Sequence, residues 1–463
     1  MGETTEFDQA ALHKLQEKEK EKEKEEMEAL MHLQWGGEDK GFVTNPTTDV
    51  TILSSTSILD GGVSDDEFDM FSDSPPDPTS SLKPSSAPAA SINHGEADAL
   101  ADNYDDEEGY YKAVIGSSIA GRYTVTRSLG GGVFSSVLLC GDDMGEHGKC
   151  AVKVIRSNET MAKAAMKEVE ILKKLGSGKG SRFIVGLKDD GNWRNHVYLV
   201  MELSGSNLRE VLHKYGLGRG LSMPAVLGYS RQLLAGLAHM GNHGVVHADL
   251  KPDNILVSDD LKTAKIADLG SAGYEGGEDC VPTPYLVSRF YRAPEIILGL
   301  QWNRGVDLWS LGCTVYELST GKVCFGGRDN NDMLMRFMRG RGMIGRKTAG
   351  KHRRAYTDGM GLPEEKCHFE HDGSFREWYT DKVNGARKVR IIPNVPCSKP
   401  IRDDIVKAAG KGEREEAKGL GTFLEKCLTL DEAKRGKAEE LMTDKWIKGE
   451  TGYSKKNIDQ TKG

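Results

Sequence analysis

Residues His247–Asn254 read His-Ala-Asp-Leu-Lys-Pro-Asp-Asn, and this stretch decides the fold of the 463-residue chain. It places the Asp249 carboxylate, the Lys251 ammonium and the Asn254 amide close together, a set of groups that can position a nucleophile and neutralise negative charge. Three further motifs surround it, namely Ala-Val-Lys-Val at 151–154, Asp-Leu-Gly at 268–270 and Ala-Pro-Glu at 293–295. The first of these has the pattern of a β-strand and carries a lysine.

The composition of the chain changes near residue 122. Residues 1–121 contain 27 acidic and 8 basic side chains, a net charge of −19, whereas residues 122–463 carry +11. We predict a mostly disordered acidic extension over 1–121 with a possible charged helix at 8–33, a folded domain over 122–447, and a polar tail over 448–463. A basic folded domain favours polyphosphate ligands and acidic partners.

Cysteine usage and hydropathy exclude several classes of protein. Eight cysteines without a C-x-x-C pair indicate a reduced, intracellular protein. No apolar run approaches the ~20 residues that a membrane span requires, and we expect no membrane partner. The segment Cys367–His371 has the spacing C-H-x-x-H but lacks a second pair of ligands, so we predict a loop there rather than a zinc site.

Hydrophobic periodicity predicts an α+β domain in which strands precede helices. Alternating apolar residues predict strands at 123–129, 133–140, 150–155 and 197–201, with a helix at 163–175. After residue 207 the pattern becomes helical, most clearly at 225–240, 306–318 and 423–428.

The four motifs together resemble the signatures of protein kinases, whose catalytic loop, D-F-G triplet, A-P-E triplet and strand lysine follow this order. The string T-P-Y-L-V-S-R-F-Y-R at 283–292, with Ala248 after His247, is similar to the CMGC group. Within that group the chain resembles the family of pre-mRNA-processing factor four kinases, close to the dual-specificity tyrosine-regulated branch. The resemblance implies the bilobal protein-kinase fold, with a β-rich N-lobe and an α-rich C-lobe.

The resemblance also implies that ATP and Mg²⁺ are the cofactors. A Gly-rich turn lets the backbone approach the phosphates, since a Cβ would hinder that contact. The residues expected to line the nucleotide site are Leu129, Gly130, Gly131, Gly132, Val133, Phe134, Ser135, Ser136, Val137, Ala151, Lys153, Met201, Glu202, Ser204 and Leu256. Met201 is expected at the back of the adenine pocket, and Glu202 and Ser204 are expected to give backbone contacts to the base.

Four side chains are expected to carry catalysis. Lys153 would contact the α- and β-phosphates and be held by a helix carboxylate, for which Glu168 matches the family pattern better than Glu170. Asp249 would accept the proton of the substrate hydroxyl, and Lys251 would neutralise the moving phosphoryl group.

Other residues are expected to bind metal or to hold the loop. Asn254 and Asp268 offer oxygen ligands to Mg²⁺. His247 is expected to support the loop rather than to titrate. The resemblance further implies that Asp307 supports the catalytic loop and that Arg435 pairs with Glu295.

The activation segment differs from the usual kinase pattern at one position. Ala248 replaces the arginine that normally pairs with a phosphorylated residue of that segment, so either another basic residue serves or no such clamp is needed. The resemblance implies that Tyr285 is autophosphorylated. Arg289 matches the group's arginine near this tyrosine, and our hypothesis is that the phosphate pairs with Arg289 or Arg292.

The resemblance implies a serine/threonine protein kinase that acts in the nucleus on splicing factors of the tri-snRNP. We expect protein substrates, no sequence-specific contact with nucleic acid, and a monomeric catalytic domain. Two alternatives stay open, a signalling kinase of the dual-specificity tyrosine-regulated branch and a pseudokinase scaffold. Aromatic residues beside acids at 68–71 and 102–111 are candidate docking segments in the extension.

Overall fold

The computed structural model describes residues 106, 109–132, 135–277, 287–381, 385–410 and 412–451. The predicted helix at 8–33, the docking segment at 68–71 and most of the acidic extension lie outside the described residues. So does most of the predicted polar tail, from residue 452 onward.

The N-terminal lobe is an antiparallel sheet with the order β1-β2-β3-β4-β6-β5 among the described residues. Its strands are β1 (Ser118–Ile119), β2 (Tyr123–Gly131), β3 (Ser135–Asp142), β4 (Lys149–Ile155), β5 (Leu187–Trp193) and β6 (His196–Glu202). Alternate residues point to one face and form a buried cluster that includes Val125, Leu138, Val152 and Val200.

Helix α1 (Glu159–Leu175) crosses the other face of this sheet. Its apolar residues Ala165, Val169 and Leu172 are buried against the sheet and the second lobe. The helix begins four residues before the predicted start at Lys163, because Asn158 caps it: its side-chain oxygen accepts a hydrogen bond from the Met161 amide at 3.2 Å.

The C-terminal lobe is helical. Its helices are α2 (Leu208–Gly216), α3 (Met223–Asn242), α4 (Pro294–Ile297), α5 (Gly305–Thr320), α6 (Asn330–Arg341), α7 (Arg346–Arg354), α8 (Ile401–Ala408), α9 (Arg414–Cys427), α10 (Ala438–Leu441) and α11 (Lys445–Lys448). Helix α5 is buried on nearly all sides, which explains its almost continuous apolar sequence. The predicted bilobal α+β architecture is confirmed.

Short strand pairs at the junction of the lobes frame the catalytic segment. Strand β7 (Val245–Val246) pairs with β10 (Gly273–Tyr274), and β8 (Ile255–Val257) pairs with β9 (Ala264–Ile266). The stretch 247–254 therefore runs between two strand ends that are fixed by pairing.

The N-lobe sheet includes residues before Arg122, the predicted start of the folded domain. Strand β1 pairs with β2, and Ile119 is fully buried. Tyr111 is 5% exposed, and its ring makes edge contacts with Trp193 at 5.2 Å and His196 at 5.8 Å between centroids. Residues 109–121 therefore belong to the N-lobe, because the side chains of Tyr111 and Ile119 are part of its core.

An insert in the C-lobe follows α6 and carries a hairpin of β11 (Phe375–Thr380) and β12 (Arg387–Ile392). The C-H-x-x-H segment leads into it: His368 is buried against Asn331, whereas His371 contacts Arg353 at 2.7 Å. Among the described residues, no group of three or more His, Cys, Asp and Glu side chains is arranged to hold a metal. None of the described helices has the length and apolar character to cross a bilayer.

Candidate active site

Asp307 fixes the backbone of the catalytic loop from the first turn of α5. Its two carboxylate oxygens accept hydrogen bonds from the amides of His247 at 2.8 Å and Ala248 at 2.9 Å. Ala248 has φ +63°, in the left-handed region that non-glycine residues seldom adopt. The bonds to Asp307 hold this conformation and turn the following residue, Asp249, toward the cleft between the lobes.

His247 supports the loop as a neutral ring. Its Nε2 lies 3.0 Å from the Ala267 carbonyl, and its Nδ1 accepts the Asp249 amide at 3.2 Å. The second bond requires an unprotonated Nδ1, so the proton is on Nε2 and is donated to Ala267. The histidine is fully buried and joins the catalytic loop to the residue before Asp268.

The Asp249 carboxylate lies at the centre of a polar cluster. Lys251 Nζ lies 3.2 Å from Oδ2, and Asn254 Nδ2 donates to the same oxygen at 3.2 Å. Ser288 donates to Oδ1 through both its amide, at 3.0 Å, and its hydroxyl, at 2.9 Å. Lys251 Nζ also donates to Ser288 Oγ at 2.9 Å. The cluster fixes the orientation of Asp249 on both sides.

Ser288 is a site residue that the sequence analysis missed. It lies in the string at 283–292, which indicates the family but by itself gives no role to this serine. The sequence feature that could have identified this residue is a hydroxyl side chain five positions before Ala293-Pro294-Glu295.

Lys153, Glu168 and Asp268 come from strand β4, helix α1 and the start of the activation segment, and meet between the lobes. Lys153 Nζ lies 2.9 Å from both Glu168 oxygens and 3.0 Å from Asp268 Oδ1. Burial alone would lower the pKa of Lys153, but Asp268 and Glu168 raise it above its usual value. The lysine therefore keeps its charge. Glu170 instead accepts a hydrogen bond from Tyr274 at 2.8 Å.

Asp268 stays ionised to low pH. The charge of Lys153 holds the pKa of Asp268 at about 2, although partial desolvation of the carboxyl group acts in the opposite direction. Its side chain is still 54% exposed, and only Oδ1 contacts Lys153. The residue has φ +57°, a left-handed conformation that directs the carboxylate back toward Lys153.

The donor set fits a hard divalent cation. Asn254 donates its amide nitrogen to the Asp249 carbonyl at 2.9 Å, which leaves its amide oxygen available as a ligand. Asp268 retains a second carboxylate oxygen beside Oδ1. Oxygen ligands of this kind, together with phosphate and water oxygens, are those that Mg²⁺ takes in proteins.

Most of the residues predicted to line the nucleotide site lie on strands β2, β3, β4 and β6 of the N-lobe sheet. Gly130 has φ +154°, Gly131 pairs with Ser136, and the Gly132 amide donates to the Ser135 carbonyl at 2.8 Å, so β2 and β3 stay in contact up to Gly132 and Ser135. Val133 and Phe134 lie outside the described residues.

Strand register brings other predicted lining residues together. Ala151 pairs with Met201 across β4 and β6, and Val137 pairs with Lys153 across β3 and β4. The Glu202 carboxylate accepts the Gly186 amide at 2.7 Å and Lys265 Nζ at 2.6 Å, so this side chain is committed to the protein. The remaining predicted lining residues on described positions are Leu129, Ser204 and Leu256.

The two arginines expected near the phosphotyrosine differ in environment. Arg292 is 2% exposed and donates to the Val287 carbonyl at 2.8 Å and to Asn330 Oδ1 at 2.7 Å. Arg289 is partly exposed and donates to the Arg328 carbonyl at 3.0 Å. Tyr285 itself lies outside the described residues.

Arg292 holds a strained backbone position. Val287 has φ +69°, which is rare for a β-branched residue, and its carbonyl accepts two bonds from the Arg292 guanidinium. The strain sits directly before Ser288 and sets the direction in which the Ser288 amide approaches Asp249.

Arg209 at the start of α2 joins the catalytic loop to the activation segment, a connection that the sequence analysis did not foresee. It donates to Asp253 at 2.9 Å, to the Tyr291 hydroxyl at 2.6 Å, and to Glu317. Tyr291 in turn donates to Glu317 at 2.6 Å. This network links the two segments without the arginine that Ala248 replaces.

Glu295 and Arg435 anchor the end of the activation segment. Their side chains form two bonds of 2.6 and 2.9 Å, and both residues are buried. Arg435 also lies over the Trp309 ring at 5.2 Å. Losing either partner would leave an unpaired buried charge, a change that typically costs about 3–5 kcal/mol.

Comparisons with known proteins agree with this geometry. A protein kinase domain model matches residues 123–447. The chain is 36% identical over 397 residues to the serine/threonine-protein kinase prp4 of Schizosaccharomyces pombe, covering 85% of this chain and 80% of that protein. It is 36% identical over 399 residues to the serine/threonine-protein kinase prpf4B of Dictyostelium discoideum, covering 82% of this chain and 47% of that protein. The DYRK-family kinase pom1 of Schizosaccharomyces pombe is 39% identical over 235 residues, 50% of this chain and 21% of its own.

Proposed function

Since this chain belongs to the protein kinase family, as a serine/threonine kinase related to the prp4 and DYRK kinases, we propose that it phosphorylates pre-mRNA splicing factors in the nucleus. The observation that carries the catalytic part is the meeting of Lys153, Glu168 and Asp268 beside the Asp249 cluster. Its protein substrates would be components of the tri-snRNP, as the family resemblance implies.

Phosphoryl transfer assigns a role to each group of the Asp249 cluster. The substrate hydroxyl oxygen attacks the γ-phosphorus of ATP while its proton passes to Asp249, and the bond from the γ-phosphorus to the β–γ bridging oxygen breaks to release ADP. The bonds from Ser288 and Asn254 orient the carboxylate for this step. Lys251 neutralises charge on the transferred group, because its ammonium lies beside Asp249.

The nucleotide is positioned by groups from both lobes. Lys153 would contact the α- and β-phosphates, with Glu168 fixing the direction of its ammonium. The Gly-rich turn at 129–137 would cover the phosphates, and Ala151, Met201 and Leu256 would surround the base. Asn254 and Asp268 would hold Mg²⁺, which when bound supplies positive charge against the phosphate oxygens.

Activation is proposed to involve autophosphorylation of Tyr285. Arg292 is buried and engaged with Val287 and Asn330, so the partly exposed Arg289 is the better candidate to pair with a phosphate on Tyr285. Such a pair would fix the segment that ends at Ser288 and thereby the orientation of Asp249.

The splicing assignment is supported by the extent of similarity to the prp4 kinase, which covers most of both chains. The match to pom1 covers half of this chain and a fifth of that protein. This difference favours splicing factors over the signalling alternative. A pseudokinase scaffold is disfavoured because the four polar residues that phosphoryl transfer requires are present. Lys153 contacts Asp268, and Asn254 contacts Asp249.

A chemical-genetic experiment tests the substrate class. Met201→Gly should enlarge the back of the adenine pocket, so that a bulky ATP-competitive inhibitor blocks the variant and spares the wild type. Phosphopeptides from purified splicing complexes are then compared within minutes of inhibitor addition. We expect tri-snRNP proteins to lose phosphate in cells that express Met201→Gly and to keep it in cells that express the wild type. Unchanged splicing phosphopeptides, despite inhibition of the purified variant, would contradict the substrate assignment and leave the kinase activity intact.

A further inference from the structure

The hairpin of the C-lobe insert has one closed edge and one open edge. On the outer side of β11, Asn331 donates to the Arg376 carbonyl at 2.8 Å and accepts the Trp378 amide at 2.8 Å. A buried side chain thus pairs with the peptide groups that β11 turns away from β12. In the described part of the chain no other strand pairs with β12.

The register identifies the backbone groups on the open edge. In an antiparallel pair, residues alternate between positions bonded to the partner strand and positions whose amide and carbonyl point outward. Arg376 and Trp378 point outward on β11, and they pair with Ile391 and Val389. Val389 and Ile391 therefore direct their amides and carbonyls away from the hairpin, along the free edge of β12.

From Lys388 to Ile391 the side chains of β12 alternate between basic and apolar, and Arg387 shares the face of Val389 and Ile391. Val389 and Ile391 are 47% and 46% exposed and share a face with Trp378 across the strand pair. Lys388 and Arg390 lie on the opposite face, and both are exposed. Each is paired with a carboxylate of the hairpin, Lys388 with Asp381 and Arg390 with Glu377 at 3.2 Å.

An exposed, unpaired strand with apolar side chains is a template for pairing with another strand, and proteins usually protect such edges. Here one edge of the hairpin is protected by Asn331 and the other is not. We propose that the open edge of β12 is a docking site for an extended segment of a partner protein in which acidic and apolar residues alternate.

Charge and register define this partner. A strand added beside β12 would place its residues directly opposite those of β12, on the same face. Apolar residues would then pack against Val389 and Ile391, and acidic residues would face Lys388 and Arg390. Strand β12 contains three basic residues and no acidic residue, so a basic or neutral strand would fit less well. The docking site uses none of the residues assigned to catalysis.

Fluorescence polarisation with the full-length chain tests the proposal. The probe is a labelled synthetic peptide of about seven residues, in which Asp or Glu alternates with Val or Ile. Val389→Pro removes one outward amide without removing a bond to β11, whereas Val389→Ala keeps that amide. We expect Val389→Pro to weaken binding tenfold or more and Val389→Ala to weaken it only slightly. Met144→Asp, at an exposed apolar residue of the N-lobe, is the matched control and should bind normally.

A second measurement does not depend on the folding of any variant. Two probe peptides are methylated on their backbone amides, one at the odd and the other at the even positions. Only one of the two should lose binding to the wild-type chain, because only one set of amides faces β12. Equal binding of both methylated peptides, or equal binding of a peptide with Lys in place of the acids, would overturn the proposal. So would binding that appears only after residues 1–101 are removed, or a dimer that forms through this edge and excludes the peptide.

Discussion

Ser288 Oγ lies 2.9 Å from Asp249 Oδ1 and 2.9 Å from Lys251 Nζ. One hydroxyl therefore joins the end of the activation segment to two groups of the catalytic loop. The Ser288 amide adds a second bond to Asp249 at 3.0 Å. A shift of the segment that precedes Ser288 would thus reach the Asp249 carboxylate directly.

Replacing Ser288 should lower turnover more than nucleotide affinity. Ser288→Ala removes the hydroxyl bonds to Asp249 and Lys251 but keeps the amide bond, and misplacement of a catalytic group can cost roughly 10²-fold. We expect kcat to fall about tenfold or more, with KM for ATP nearly unchanged. Ser288→Thr restores the hydroxyl and should stay within a few-fold of the wild type. Equal kcat for Ser288→Ala and wild type would show that the hydroxyl does not position Asp249.

Replacing Tyr111 should destabilise the N-lobe. Removing a buried aromatic side chain typically costs about 3–5 kcal/mol, and Tyr111 packs against Trp193 and His196. We expect Tyr111→Ala to lower the free energy of unfolding by about 3 kcal/mol in denaturant titration. Val114→Ala, at a residue that is 60% exposed, is the control and should change it little. An unaltered Tyr111→Ala transition would mean that residues 109–121 do not contribute to the core.

The stability of the C-lobe should fall in mild acid because of His352. Its ring is buried, its Nδ1 lies 2.9 Å from the Leu298 carbonyl, and its Nε2 accepts the His368 amide at 2.9 Å. Burial lowers the pKa of His352 to about 4. In the unfolded chain a histidine has a pKa near 6.5, so between about pH 6.5 and 4 the unfolded state binds a proton that the folded state does not.

This difference sets the sign of the pH dependence. The contribution of His352 is fully present above about pH 6.5 and falls by up to about 3 kcal/mol as the pH drops to 4. His352→Gln should be less stable than wild type at pH 7.5, but its stability should decline less steeply below pH 6.5. Parallel curves of unfolding free energy against pH for the two proteins would exclude this role for His352.

Tyr285→Phe should lower activity if phosphorylated Tyr285 pairs with Arg289. The phosphate would add charge-assisted bonds that fix the segment leading to Ser288. Peptide mass analysis of the recombinant chain should find phosphate on Tyr285 in wild type and none there after Asp249→Asn. Arg289→Gln should reproduce the loss seen in Tyr285→Phe. A fully active enzyme without phosphate at Tyr285 would contradict this mode of activation.

The sequence predicts the parts of the site that lie in short local motifs. Lys153 and Asp249 can be identified from their neighbours in the chain, because each lies in a short recognisable motif, at 151–154 and 247–254. Glu168 can be identified because it lies in the helix that follows the strand of Lys153. The connections of Arg209 to Tyr291 and Glu317 could not be predicted, because they join residues that are about 80 to 110 positions apart and depend on how α2 meets α5.

Two further structural features could not be predicted because of the amino-acid composition of the segments that contain them. Tyr111 follows a run of acidic residues, so composition placed it in the extension, although packing against Trp193 places it in the core. The hairpin at 375–392 lies in a Gly- and charge-rich region where strand periodicity is weak, and the bonds that hold its outer edge come from Asn331 in α6, which is distant in the chain.

Asp249 is proposed to serve as the base for phosphoryl transfer in an ATP-binding cleft. The most direct test is the rate of γ-phosphate transfer to a peptide by the purified wild-type chain and by Asp249→Asn, with ATP affinity and thermal unfolding measured on both. A positioned base typically contributes ~10²–10⁴-fold. We predict a fall in kcat of at least about 10²-fold, with ATP affinity and unfolding temperature preserved. Transfer by Asp249→Asn within a few-fold of wild type would contradict the account.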